Sequence, residues 1–229
     1  MHTINADQHK TMNRVKDNAI TSETRMPGPA LEIRFHFVDG SGQIFRQGNA
    51  EMAQNILRQI NPSLLFSQPR IVVADAYSKS VFVCSQINRI DLIFDDPGFS
   101  EIPYDHADLV ELTEAEFNKH VPLNEPARLE RREQQREAGD LLVSFLHLRM
   151  MGQSDVYLMN EAMVKLPIEN HSFMQRLLSK GAYSIRLAEG GQGILNLQNL
   201  IGYTVYPGVP EIPADTWMAL PAAYYETSH

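Results

Sequence analysis

The chain has a single cysteine among its 229 residues, so no internal disulfide can form and folding does not lean on one. That cysteine, Cys84, follows Val81, Phe82 and Val83, a setting in which a thiol packs as a small buried hydrophobe rather than acting as a nucleophile. Such cysteine usage fits a reducing compartment, and a cytoplasmic location is expected. No run approaches the roughly eighteen uninterrupted apolar residues of a membrane-spanning helix. The opening segment mixes Lys10, Arg14, Lys16 and Arg25 with Asp7, Asp17 and Glu23, and holds no apolar stretch of the kind a signal peptide needs. A membrane partner is not expected. Also missing are a G-x-S-x-G elbow, a phosphate-binding P-loop, an H-E-x-x-H pair and a C-x-x-C pair. The sequence therefore calls for no cofactor and leans away from catalysis.

What is present is ordinary in amount and uneven in place. Apolar residues make up 43% and charged residues 21%, the proportions of a globular chain with a core of its own. The formal net charge of −8 opposes a whole-surface attraction to nucleic acid or anionic lipid. That acidity is local: Asp95, Asp96, Glu101, Asp105, Asp108, Glu111, Glu114 and Glu116 lie in one stretch without a Lys or Arg.

Hydrophobic periodicity divides the chain. Residues 1–29 are polar, lack a period and end in Met26-Pro27-Gly28-Pro29, which reads as a flexible arm. Leu31, Ile33, Phe35 and Phe37 then alternate with Glu32, Arg34 and His36, and Asp39-Gly40 turns this strand into Gln43–Arg46 as a hairpin. Asn49 caps a helix with Met52, Ala53, Ile56, Leu57 and Ile60 on one face, and Asn61-Pro62 ends it. Strand-like runs follow at 71–74, 80–84 and 90–94.

The same order of elements recurs after residue 140, with strands near 142–148 and 156–158, a helix capped by Asn170, and strands near 183–187, 194–197 and 201–205. This predicts an α+β protein of two similar β-β-α-β-β-β modules, each a small barrel-like or strongly curved antiparallel sheet with one helix, produced by internal duplication. The expected divisions are an arm over 1–29, a first module over 30–100, an acidic segment and charged helical linker over 101–139, a second module over 140–206, and an extended tail over 207–229. Within the linker, Thr113 to Glu116 spells a capping box, and Asn124 and Gly139 bracket a helix with almost no apolar face.

Four features are candidates for function. Arg128, Arg132 and Arg136 recur every fourth residue on the linker helix and form a stripe suited to phosphates or acidic surfaces, although four glutamates between 125 and 138 balance the four arginines there. Tyr104 to Asp108 brings Asp105, His106 and Asp108 together as a weak metal or acid/base candidate, against the plainer reading of turn chemistry. His36 and His147 fall on equivalent strands and would form a pH-responsive contact if the halves faced one another. Trp217, Tyr224 and Tyr225 give the tail an aromatic character common at protein contacts. The glycines of Glu189 to Gly193 lie between two strands, so they serve a hairpin rather than a phosphate cradle.

The residues carry no family resemblance. The reading they favour is a non-catalytic tandem-module protein acting through protein contacts or self-association, as an adaptor, regulator or assembly component. The alternatives are a nucleic-acid or nucleotide-responsive module, against which the acidic balance counts, and a metal-dependent enzyme built on the Asp105-His106-Asp108 loop.

Overall fold

The computed structural model describes residues 30–94, 109–121, 141–163, 180–206 and 217. Alternation sets the first strand, β1 (Leu31–Phe37), whose odd-numbered residues enter an apolar core while Glu32, Arg34 and His36 take the other face. The Asp39 carboxylate accepts from the Ser41 backbone N–H and hydroxyl and folds the turn into β2 (Gly42–Gln47). Helix α1 (Ala50–Gln59) starts where Asn49 Oδ1 accepts from the Met52 N–H at 2.9 Å, and it buries Ala53 and Leu57. A hairpin of β3 (Arg70–Ala74) and β4 (Lys79–Val83) follows, then β5 (Ile87–Ile93). Strand β6 (Leu109–Leu112) runs into α2 (Glu114–His120), whose capping box is formed in both directions by Thr113 and Glu116. The long hairpin β7 (Leu141–Met150) and β8 (Ser154–Met163), the hairpin β9 (Ala182–Arg186) and β10 (Gln192–Asn196), and β11 (Leu200–Tyr206) complete the described strands.

Nine of these strands form one mixed sheet in the order β11-β7-β8-β6-β9-β10-β5-β1-β2, and β3-β4 stand apart as a two-stranded sheet. Only the β6–β9 contact is parallel among the described pairings. This overturns the expected pair of β-β-α-β-β-β modules joined by a charged helical linker. Strands β9 and β10 from the later part of the chain lie between β6 and β5, so among the described residues the portions interleave in a continuous sheet that does not close into a barrel. The segment read as linker also contributes a strand, β6, to the sheet interior. Pairing order agrees for β5-β1-β2 and β11-β7-β8 but fails at the hairpins: β3-β4 leave the sheet and β9-β10 enter it. Periodicity reports which face of a strand is apolar, and it does not report which edge the strand will join. Helix Asn170 and the linker helix lie outside the described residues.

The sheet separates distinct cores. Leu31, Phe35, Ile90 and Ile194 pack under α1 and the β3-β4 hairpin, which is held down by Phe82 stacked 4.7 Å from Phe35. Leu146, Leu148, Leu158, Ile185 and Leu195 form a second core on the opposite face, and Phe117 with Phe145 anchors α2 in a third. Adjacent residues of β10 serve different cores, Ile194 the first and Leu195 the second, because successive side chains point to opposite faces. At the tip of the β7-β8 hairpin Gly152 has φ 71 and lies so close to the Val38 carbonyl that a Cβ could not be built there. The Asn88 amide donates to the Met151 carbonyl at 2.7 Å beside it, tying that tip to the start of β5.

Candidate functional site

Two places concentrate chemistry, one on each side of the β1-β5 part of the sheet. On the face shared with the second core, β1 presents Glu32, Arg34 and His36, and β5 presents Arg89 and Asp91. Asp91 is only 2% exposed; its Oδ2 lies 2.7 Å from His36 Nε2, and its Oδ1 accepts from Arg89 Nε at 2.5 Å. The Arg89 guanidinium reaches on to the Glu111 carboxylate, with one contact at 3.0 Å, giving a fork-to-fork pair. Arg89 and Glu111 belong to strands separated in the sheet order by β10 and β9, so the two side chains reach toward each other across that face. Gly193 lies between them: a Cβ there would approach Asp91 Oδ1 at 3.0 Å and both Ile185 and Leu187 at 2.9 Å.

Burial pushes the Asp91 carboxyl up, but the His36 hydrogen bond and the Arg89 charge outweigh it and hold Asp91 below the usual carboxylate range. Burial likewise disfavours the Arg89 cation, yet Asp91 and Glu111 raise its proton affinity above the ordinary arginine value. Beside this network Glu32 accepts from Arg34 at 2.7 Å and Arg46 at 2.6 Å, and Arg34 reaches Glu189 at 2.6 Å. The Arg34 hydrogen bond is the chief cause of a lowered Glu32 carboxyl. These charges satisfy one another, which suits a structural tie.

On the other side lies a cleft of about 640 Å³ between the sheet, α1 and β3, floored by Ile33, Phe35, Ile56, Ile60 and Leu92. All five residues of β3 line it, and among the described residues Arg70 is the one charged side chain in its lining. It continues into a second space of about 560 Å³ whose far wall is β2 over Ile44 to Gln47. These volumes fall within the range of about 300–1,000 Å³ typical of ligand sites. Above the cleft, the outward face of the hairpin carries Val72, Val81 and Val83, each about half exposed, and the β3-β4 turn exposes Tyr77 completely.

No protein family, curated protein or solved structure matches this chain.

Of the residues singled out from sequence, Arg128, Arg132, Arg136, Asp105, His106, Asp108, Tyr224 and Tyr225 lie outside the described residues. Trp217 is described and is 95% exposed. Among the described residues no group of three His, Cys, Asp or Glu side chains could hold a metal ion, and no helix is long and apolar enough to cross a membrane. His36 and His147 do not meet: His36 binds Asp91, whereas His147 stacks on Tyr157 at 4.8 Å on the opposite sheet face. Cys84 is buried, its thiol is pushed up by desolvation, and Sγ contacts the Leu65 carbonyl at 3.8 Å, as expected of a packed thiol. The glycine-rich loop is a hairpin turn with Gly190 and Gly191 at positive φ. Sequence reasoning missed the ion network and the cleft. Charged residues at every second position of β1 and β5, interleaved with core positions, were the available signal for the network. Nothing local signals the cleft, which exists only where the hairpin meets α1.

Proposed function

We propose that this protein is non-catalytic and acts through protein contacts made by the β3-β4 hairpin and the cleft beneath it. The observation that carries the reading is the outward hairpin face, where Val72, Val81 and Val83 are exposed side by side on a two-stranded sheet whose other face already packs on the core. Cross-strand apolar pairs such as Val72 opposite Val81 stabilise a sheet best when a partner covers them, and a contiguous exposed apolar patch marks a contact surface.

The test places a photo-crosslinking residue at Val81 in cells that express the full chain, with Glu51 on the exposed start of α1 as control. A discrete heavier product from position 81 and none from position 51 is the expected result. Equal products, or none from either, would remove the hairpin as a contact surface.

A further inference from the structure

We infer that the cleft receives an extended peptide strand from a partner protein, added antiparallel along the open edge of β3, with an acidic residue at its C-terminal end seated against Arg70. The inference rests on the protein-contact reading and names the partner's chemistry.

Backbone hydrogen bonding shows which groups are on offer. Cys84 N–H donates to the Pro69 carbonyl at 3.2 Å and Asp75 N–H to the Ser78 carbonyl at 3.0 Å. Hydrogen-bonded pairs alternate along an antiparallel ladder, so the pairs between these two are Ile71 with Phe82 and Val73 with Ser80. The N–H and C=O groups of Arg70, Val72 and Ala74 then point away from β4, into the cleft that these residues line. Among the described residues no strand pairs with that edge. An added strand would complete its ladder, and alternate side chains of that strand would drop onto Ile33, Ile56 and Ile60 on the apolar floor.

For an antiparallel strand, charge places the acidic residue. Arg46, on the opposite wall, is already paired with Glu32 at 2.6 Å, whereas Arg70 has no acidic partner among the described residues. Arg70 is the first residue of β3, and the C-terminal end of an antiparallel strand lies beside the first residue of its neighbour. A carboxylate at that end would meet the Arg70 guanidinium, which among the described residues is the charged side chain lining that part of the cleft.

The experiment uses the full chain and a short synthetic peptide of alternating valine and threonine, blocked at both ends, with glutamate as its last residue. Fluorescence anisotropy measures its affinity against the same peptide ending in glutamine, and amide hydrogen exchange follows Val72 and Ala74. The inference expects saturable binding, at least a tenfold loss with the glutamine peptide or with Arg70→Gln, and slowed exchange at Val72 and Ala74. A Val72→Pro chain removes one open-edge N–H without touching a bond to β4, so it should melt as the parent does and lose the peptide. Equal affinity for both peptides, unchanged exchange at those amides, or no binding of either peptide would overturn it. A crosslink from Val81 would stand in any of those cases, since it reads the outward hairpin face.

Discussion

Two hairpins of similar length have opposite fates. The β3 sequence Arg70-Ile71-Val72-Val73-Ala74 has the composition of an interior strand, yet it lies at the surface with Val72 half exposed. The β10 sequence Gln192-Gly193-Ile194-Leu195-Asn196 is poorer in apolar residues and carries a glycine, yet every one of its residues is buried. The difference teaches that burial here follows from what a strand lets its neighbours do. Gly193 leaves room for the Asp91 carboxylate, and the Asn196 amide donates to the Cys84 and Ile87 carbonyls at 3.2 and 2.9 Å. A valine-rich strand offers neither service. Its outward Val72 stays about half exposed.

Breaking the buried side of the comparison should cost most at Asp91. Asp91→Ala removes the acceptor shared by Arg89 and His36, and because Arg89 keeps Glu111 the loss should be about 2–3 kcal/mol, to be read from urea unfolding. A loss under about 1 kcal/mol would mean that water replaces the carboxylate and that the network is not a tie. Gly193→Ala is next. Its methyl would press on Ile185, Leu187 and Asp91, and overpacking of this kind costs about 1–3 kcal/mol. Asn196→Ala should cost less, about 0.5–1.5 kcal/mol, because the Cys84 and Ile87 carbonyls each lose one donor but keep another, the Ile87 N–H and the Asn199 amide.

Acid sharpens the contrast without mutation. Asp91 and Glu32 have folded-state carboxyls held below their ordinary values of 3.8 and 4.5, so their contribution is complete above those values and disappears as pH falls through the lower folded ones. The stability of the parent chain should decline over that acid window more steeply than that of Asp91→Asn, measured as urea midpoint against pH. The smallest effect belongs to the surface hairpin. Val81→Thr should change stability by no more than about 0.5 kcal/mol, as expected for a half-exposed position, while Val81→Lys should abolish contact through that face in a crosslinking experiment placed at Val72. A large stability loss at Val81 would show that the face is already covered by the protein itself.

Much of the local structure was legible. The alternation in Leu31–Phe37, the Asn49 cap, the Thr113 capping box and the glycines after Glu189 each act within a few residues, and the structure realises each of them. The short strand Leu109–Leu112 was hidden in an acidic stretch because four residues carry too little periodicity, and its place between β8 and β9 depends on strands distant in the chain.

By itself, the sequence determined where most strands and caps form, since backbone preference and side-chain alternation are properties of adjacent residues. Tertiary structure alone decided that β9-β10 enter the nine-stranded sheet while β3-β4 leave it, and hence that Arg89 meets Glu111 and that a cleft opens along β3. The physical reason is that strand pairing is satisfied by backbone groups common to every residue. The choice among possible neighbours therefore falls to contacts such as Gly193 against Asp91 and Asn196 against Cys84, which come together only when the chain has folded.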